Sequence, residues 1–529
     1  MVFLRFVKRR SGSRIAEYAQ IAEKDYADGK QKTRVIKHLG PVNDSSDRER
    51  YKALFKQYMD RERAKESDIS RMKLGDPKEF GIIYASREIF VKTGIFGSLG
   101  ILGRYRELAF FMVAGRLIEP GSDVSLVELA SRTYYPWAAL KILKDDPYRC
   151  LDNMLKARER IEIGVFRKLH PDTTRVYYDL TSTYFEGREE NDLVMFGYSR
   201  DKKRGKEQIV IGLVMADGLP IHHEVWSGNT VDPKTLEPTI EYMEDKFHVK
   251  EIIYVEDRAF GRKKSLSFLD TKKYITAAYR WDQPYRSVIM ETRLQDSDLH
   301  DDLYLREVSV KIATDRMTKD EKERAEKRRY ILVLNKEREK SDILEYSGKV
   351  REALSVMRIH GMKEGRKRLR KLKSFLIFSE DSYHVNMKKL RILRKIAGRF
   401  LLITNTSLPP KEVVEKYKDL WRIERSFRTM KSFLEIRPVG HWRSDRIRSH
   451  VFVCVLSLLL SRLMEKRLVS GLTAESACRT LSEMKAVPVT LPGMSLTFRS
   501  EGDNATRVLK EMGIEPPDRL LDGALPESG

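Results

Sequence analysis

The chain has 529 residues, 41% of them hydrophobic, enough to bury several cores, and this excludes wholesale disorder. Its 101 Lys+Arg against 78 Asp+Glu leave a net charge of +23, an excess that sets it apart from a neutral metabolic enzyme. Such a balance points to a polyanion partner, nucleic acid being the commonest, with a merely solvated basic surface as the plain alternative. Three cysteines, Cys150, Cys454 and Cys478, lie far apart, which excludes a C-x-x-C pair and a disulfide framework and fits a reducing, cytoplasmic setting.

In chain order, the N-terminus is basic but has no apolar signal-peptide core, so a soluble protein is expected. Residues 3–7 and 32–36 alternate apolar with basic side chains and read as half-exposed strands, and Gly40-Pro41 closes a small β module over 1–45. Residues 46–165 read as helical, beginning with a charged stretch over 46–70. An apolar segment over 101–118 suits a core helix, and 125–129 a short one. A basic helical region of this kind suits DNA reading, although no helix-turn-helix pattern singles out a recognition helix.

From residue 166 the texture changes. Residues 176–183 are β-branched and aromatic and read as a strand. The run 208–215 is nearly all apolar, as in a strand covered on both faces. Asp217-Gly218 signals a hairpin leading into 219–225. A helix over 235–247 and strands at 252–255 and 274–278 complete an interleaved α/β pattern over 166–280. Residues 281–395 interrupt it with strands near 308–310 and 330–334 and with dense charge, including seven basic residues in 363–373. That run reads either as a solvated helix or as a contact to flanking DNA. The core pattern resumes over 396–440, with a strand at 400–404 and a helix over 411–434 that starts at Pro409-Pro410. A helical region over 441–529 follows. Its uncharged run 451–461 is shorter than the ~20 residues of a spanning helix, so a buried core helix is expected; a loose tail is expected after 518.

Carboxylates at strand ends are the chemical feature. Asp179 lies on the first core strand, Asp257 just past the strand at 252–255, and Glu424 on the helix after the last strand. Ligands of α/β sheets gather near the carboxyl ends of strands. Three carboxylates meeting there would select Mg²⁺ or Mn²⁺, and two such ions serve phosphodiester chemistry. Acids at strand ends are also common without any metal. Glu256 and Glu186 are neighbouring decoys that strand alternation turns away. On the helix, Tyr417, Glu424 and Lys431 recur every seven residues, with Trp421 and Arg428 between them. A stripe of this composition suits a phosphate backbone better than a core. His222 and His223 are adjacent, which points them to opposite faces of a strand and argues against a shared metal. His441, just before Trp442, reads as structural.

These residues carry a resemblance. The helix resembles the Y-x2-R-x3-E-x6-K signature of DDE transposases of prokaryotic insertion sequences, the superfamily typified by insertion sequence four. Tyr417, Glu424 and Lys431 match it, while Leu420 stands at the Arg position and Arg422 lies two residues on. Asp179 in Y-D-L-T-S-T resembles the first Asp of that family, and Asp257-Arg258 the second. The spacings of 78 and 167 residues leave room for the insertion between Asp257 and Glu424. Gly197 to Asp201, Gly218-Leu219-Pro220, Gly228-Asn229-Thr230 and Arg437-Pro438 are further landmarks.

The resemblance implies a ribonuclease-H-like mixed-sheet catalytic core with a β-rich insertion and helical N- and C-terminal regions. Asp179, Asp257 and Glu424 would be catalytic and would hold two Mg²⁺ or Mn²⁺ ions. Tyr417, Trp421, Arg422, Arg428, Lys431 and Arg258 would contact DNA, Trp421 against a displaced base. The implied activity is cleavage at element ends and strand transfer into a target, on double-stranded terminal repeats. The implied assembly is a homodimer in the DNA complex, in a cytoplasmic, nucleoid-associated protein. A nuclease without joining activity and a catalytically inactive DNA-binding protein are the alternatives.

Overall fold

The computed structural model describes the chain except residues 1, 12–13, 28–29, 43–44, 66–71, 139–141, 185–190, 198–205, 231–232, 248–252, 257–262, 312–317, 438–439, 492–493 and 522–529. It divides into two compact units, Met1–Met154 with Leu460–Gly529, and Leu155–Leu459.

The first unit opens with three antiparallel strands, Val2–Ser11, Arg14–Ala27 and Lys30–Val42. The middle strand was not expected; its sequence RIAEYAQIAEKDYA is too polar to stand out, although Ala19, Ile21 and Ala22 are buried. The charged helix Ser45–Lys65 follows. Gly81–Lys92 and Arg106–Ile118 carry the unit's core, with Phe80, Ile89, Phe90, Phe110 and Phe111 all buried. The segment read as one apolar helix over 101–118 is a 3-10 segment Leu99–Tyr105, broken at Gly103 with a positive φ of 52°, followed by the helix Arg106–Ile118. The C-terminal region is helical only in part. Its hairpin Lys485–Leu491 and Met494–Arg499 pairs with Lys73–Leu74 and Lys78–Glu79. The tail is docked as far as Leu521, whose N–H donates to Thr497 O at 2.8 Å; later residues lie outside those described.

The second unit is built on a nine-stranded mixed sheet. Its strands are β1 (Arg175–Tyr184), β2 (Gln208–Ala216), β3 (Leu219–Ser227), β4 (Ile253–Glu256), β5 (Lys273–Ala277), β6 (Leu299–His300), β7 (Leu303–Val308), β8 (Arg329–Asn335) and β9 (Arg399–Thr404). The spatial order is β6-β7-β8-β9-β5-β4-β1-β2-β3. β1, β2 and β3 are antiparallel neighbours, and β4 and β5 run parallel to β1. The order β3-β2-β1-β4-β5 is the ribonuclease-H-like core that the sequence implies. The turn joining β2 to β3 has positive φ at Asp217 and Gly218 (51° and 72°), as a two-residue hairpin requires.

All nine residues of β2 are buried, which explains its unbroken apolar run. On one face, Val176, Tyr178 and Leu180 of β1 pack with Leu236, Ile240 and Met243 of a helix Pro233–Phe247 and with Leu266 and Leu269 of Lys263–Leu269. The strands of the insertion, β7 and β8, extend this same sheet beyond β9. Among the described residues, the insertion adds β6 to that sheet as well, several helices, and a short hairpin Leu376–Phe378 with Tyr383–Val385. The helix Ser444–Arg467 is long and apolar enough to cross a membrane, yet 94% of its apolar window is buried inside the protein, as expected of a core helix.

Candidate active site

Strand alternation puts Arg175, Tyr177, Asp179 and Thr181 on the face of β1 opposite the Tyr178 core. Asp179 is half-buried, and its Oδ1 accepts the Leu180 N–H at 2.7 Å. β1 and β4 run in parallel register, with Tyr178 opposite Glu256. The second carboxylate, Asp257, and its neighbour Arg258 follow directly in sequence and lie outside the described residues, as do Glu186, Tyr198 to Asp201 and Pro438.

The helix carrying the third carboxylate differs from the expected single rod. It is two helices, α1 (Pro410–Lys418) and α2 (Trp421–Ser432). Pro410 occupies the first turn of α1, where its missing N–H costs nothing. Between the helices the hydrogen bonds tighten to i→i−3: Leu420 N–H to Tyr417 O at 3.1 Å, and Arg422 N–H to Asp419 O at 3.0 Å. The seven-residue spacing therefore crosses a junction of tightened hydrogen bonds, across which Asp419 and Leu420 keep helical dihedrals. The half-buried Tyr417 ring lies 6.0 Å from that of Phe400.

Asp419 anchors this elbow. Its Oδ2 accepts the Tyr177 hydroxyl at 3.1 Å and lies 3.6 Å from Arg175, while its Oδ1 lies 3.5 Å from Arg422. Burial, then the Asp419 charge, pushes the Tyr177 phenol up to about 12, so it stays a donor at neutral pH. Because Tyr177 and Asp179 share a face of β1, the bond sets the start of α2 over the face that carries Asp179. Asp419 and Tyr177 went unrecognised in the sequence; the signal available was the i, i+2 relation of Tyr177 to Asp179. Leu420, at the family's Arg position, is buried at 8% exposure and serves the core of the elbow. Arg422 is engaged with Asp419.

On α2, Ile423, Ser426, Phe427 and Met430 form the buried stripe. Trp421, Glu424 and Arg428 are exposed and Lys431 half-exposed, flanking that stripe. Trp421 keeps 50% of its surface open, with the Arg425 guanidinium 6.0 Å from its ring. At the far end of β1, the Arg437 guanidinium lies 5.5 Å from the Tyr184 ring. The landmark glycines have a steric basis. A Cβ on Gly197 would meet Gly228 O at 1.9 Å, because this segment is tied to Gln208 at the start of β2 through Met195 and to Gly228 just after β3 through Leu193.

A second polar cluster is centred on three buried residues, Glu162, His222 and His223. Glu162, on the helix Asp146–Leu169, reaches both histidines of β3: Oε2 is 3.0 Å from His222 Nδ1 and Oε1 2.9 Å from His223 Nδ1. The two rings keep separate packing partners, His222 stacking on Tyr242 and His223 on Phe452, while the Glu162 side chain reaches both at this sheet edge. Glu224 lies 3.3 Å from His222 Nε2 and binds Arg158 at 2.9 Å. Burial works against every charge here. Glu162 is nonetheless held well below the carboxylate range by the two histidines, and Glu224 at about 2 by His222 and Arg158. His222 is raised by the two carboxylates against its burial, and His223 is lowered by burial. His441 packs edge-on to His450 at 5.4 Å. Among the described residues no group of three or more His, Cys, Asp or Glu is arranged to hold a metal.

A family model described as Transposase DDE domain matches residues 181–460. The transposase for insertion sequence element IS231E of Bacillus thuringiensis subsp. finitimus is 24% identical over 169 residues, 31% of this chain and 34% of that protein. The match spans about a third of the length of that curated relative. A cryo-EM structure of the piggyBac transposase synaptic complex with hairpin DNA aligns at a TM-score of 0.36 with 11% identity, covering 78% of this chain and 82% of that one. By the extent of the family match, the chain belongs to the transposase DDE domain family.

Proposed function

We propose that this protein is a DNA transposase that cuts phosphodiester bonds at the ends of its element and joins the freed 3′-hydroxyl to target DNA. The observation that carries the reading is Asp179 on the central strand with the Glu424 helix fixed over the same face through Tyr177 and Asp419. Asp257 completes the set in this proposal: in the sequence, Asp179 and Asp257 directly follow the paired residues Tyr178 and Glu256.

These carboxylates offer only hard oxygen donors, which suits Mg²⁺ or Mn²⁺, two ions in this reading. When bound, the metal supplies activation of the attacking oxygen and stabilisation of the leaving one. The chain's own residues hold and position. Asp179 and Glu424 present carboxylates from a strand and a helix. Tyr177 and Asp419 fix the angle between those elements. Trp421 offers an exposed ring for stacking on a base, and Arg428 and Lys431 offer cations to the phosphates alongside, with Tyr417, Arg422 and Arg258 as further DNA contacts. The proposed partner is double-stranded DNA at terminal repeats and target, bound by a homodimer near the nucleoid. Residues 46–165 are the proposed end-reading region.

The test is a strand-transfer assay with the element's own ends and Mg²⁺ or Mn²⁺. Wild type should yield cleaved and joined products. Asp179→Ala, Asp257→Ala and Glu424→Ala should each bind ends but fail to cut. Metal-dependent cleavage surviving in one variant would remove that residue from the site. Cleavage without joining by wild type would make the protein a nuclease, and binding alone an inactive DNA-binding protein.

A further inference from the structure

The insertion contains a helix α3 (Lys336–Arg368) whose two halves differ in charge. Residues 336–352 hold five Lys/Arg and five Asp/Glu, with pairs such as Lys336–Glu339 at 2.9 Å and Lys349–Glu345. This is the pattern of an ordinary solvated helix. From residue 358 the balance disappears. Residues 358–395 hold thirteen Lys/Arg against Glu364, Glu380 and Asp381, so 38 residues carry +10 of the chain's +23.

The fold gathers these cations. Gly361, with φ of 68°, breaks α3, and the short second segment folds back until Gly365 lies against Met357. A tight turn Arg370–Phe375 follows, over a small core of Ala353, Met357, Leu369 and Leu376. The helix α4 (Met387–Ile396) then docks beside that turn. Asn386 N–H donates to Phe375 O at 2.8 Å, and Lys389 bonds Ser374 Oγ with its ammonium 4.4 Å from the Phe375 ring. Leu393 and Ile396 face inward, so Lys388, Arg391, Arg394 and Lys395 face out. Lys363, Lys367, Arg370, Lys371 and Lys373 are exposed as well. Burial and then Lys349, from the balanced half of α3, push the Lys389 ammonium below its ordinary value. A protein surface balanced for solubility mixes both signs. This one concentrates a single sign that an external polyanion would neutralise.

We propose that the lobe 358–395 is a sequence-independent contact surface for the phosphate backbone of duplex DNA, built from residues other than those around Asp179 and Glu424. The proposal rests on the reading of the chain as a DNA transposase and extends it to a second place where DNA is held. Exposed Lys and Arg on short helical segments are free to meet phosphates at any sequence, and each contact displaces a condensed counterion.

The experiment is the salt dependence of binding of the full-length protein to a 30-base-pair duplex of arbitrary sequence, read by fluorescence anisotropy. In one variant Lys367, Lys371, Lys388, Arg391 and Lys395 become Gln. In a control Lys319, Lys327, Arg338, Lys340 and Arg351 become Gln, an equal change of charge on exposed positions of the same unit. A third variant carries Lys→Arg at the four lobe lysines of the first set. If all five contacts are made, the slope of log affinity against log salt should lessen by about 4–5 in the first variant. The slope should stay near wild type in the control and the Lys→Arg variant. Equal slopes for lobe and control variants, or tenfold tighter binding of single-stranded RNA than of duplex through this lobe, would overturn the proposal. Failure of wild type to bind duplex at all would overturn it together with the transposase reading, whereas wild-type binding with an unaltered slope in the lobe variant would overturn it alone.

Discussion

At the scale of single residues, the site depends on one hydrogen bond that joins two elements. Tyr177 donates to Asp419, and this sets the start of α2 over Asp179. Tyr177→Phe keeps the ring and removes only the donor, a net loss of about 1 kcal/mol of stability. Its catalytic effect should be larger than that suggests, because small displacements of reacting groups cost up to about 10²-fold in rate. Tyr177→Phe and Asp419→Asn should each slow cleavage about 10- to 100-fold while end affinity stays within about twofold. Cleavage rate and binding measured side by side check this, and a parallel loss of both would mean that the elbow merely supports the fold.

The buried cluster makes a separate prediction about pH. Glu162 and Glu224 have depressed pKa values in the folded protein, Glu224 at about 2 against an ordinary 4.5. A depressed carboxylate contributes stability that is present above its unfolded value and lost as pH falls through the folded one. That window runs from about 4.5 down towards 2. His222, raised, contributes below the ordinary histidine value and loses the contribution as pH rises; His223, lowered, has the opposite sign, so the two oppose each other near neutrality. Glu162→Gln should cost about 3–5 kcal/mol at pH 7, because it strands buried cationic partners. It should also flatten the acid limb relative to wild type in urea unfolding at a series of pH values. An unchanged acid limb would show that Glu162 does not hold its charge in the fold.

At the scale of elements, α3 provides an internal contrast. Gly348 sits in the regular part of the helix, and nothing lies within 4 Å of where a Cβ would be. Gly348→Ala should therefore stabilise the second unit by about 0.5–1 kcal/mol, by helix propensity alone. Gly361 has φ of 68°, where an L side chain is strained, so Gly361→Ala should destabilise the fold-back by a similar amount or more. Thermal melts of the two variants, with opposite shifts, check both. The same contrast explains what was legible in the sequence. Strands such as β2 and β9 were visible because burial on both faces leaves an unbroken apolar run. The Asp217-Gly218 turn was visible because its backbone demands those residues. The break between α1 and α2 was not, because Asp419 and Leu420 keep helical dihedrals and no Gly or Pro marks the place. The link from Glu162 to His222 and His223 was hidden too, since that carboxylate comes from a helix 60 residues away in sequence.

At the scale of the whole molecule, the first unit is made from both ends of the chain, and this decides how its role can be tested. The strand Lys485–Leu491 pairs with Lys73–Leu74 and Lys78–Glu79, and Lys485 forms an ion pair with Glu79. Gly81 N–H donates to Met484 O at 2.9 Å, and a Cβ there would meet Leu481 O at 2.2 Å. Tyr84 Oη donates to Glu515 O at 2.9 Å, and Lys92 Nζ to Gly513 O at 2.7 Å. Removing residues 1–154 would leave this hairpin with an open edge and would uncover Leu481, Met484 and Ala486, all now at 0% exposure. Each large apolar side chain so exposed costs about 1.5–3 kcal/mol. A chain beginning at residue 155 should therefore show rapid protease cleavage within 468–521, while the sheet of the second unit keeps its protection. Limited proteolysis with mass mapping reads both regions at once. Protection of 468–521 in the shortened chain would show that the C-terminal segment folds without its N-terminal partner. If the segment is cleaved, loss of end recognition by such a chain says nothing about which residues read DNA. That question then belongs to substitutions of exposed cations within an intact first unit.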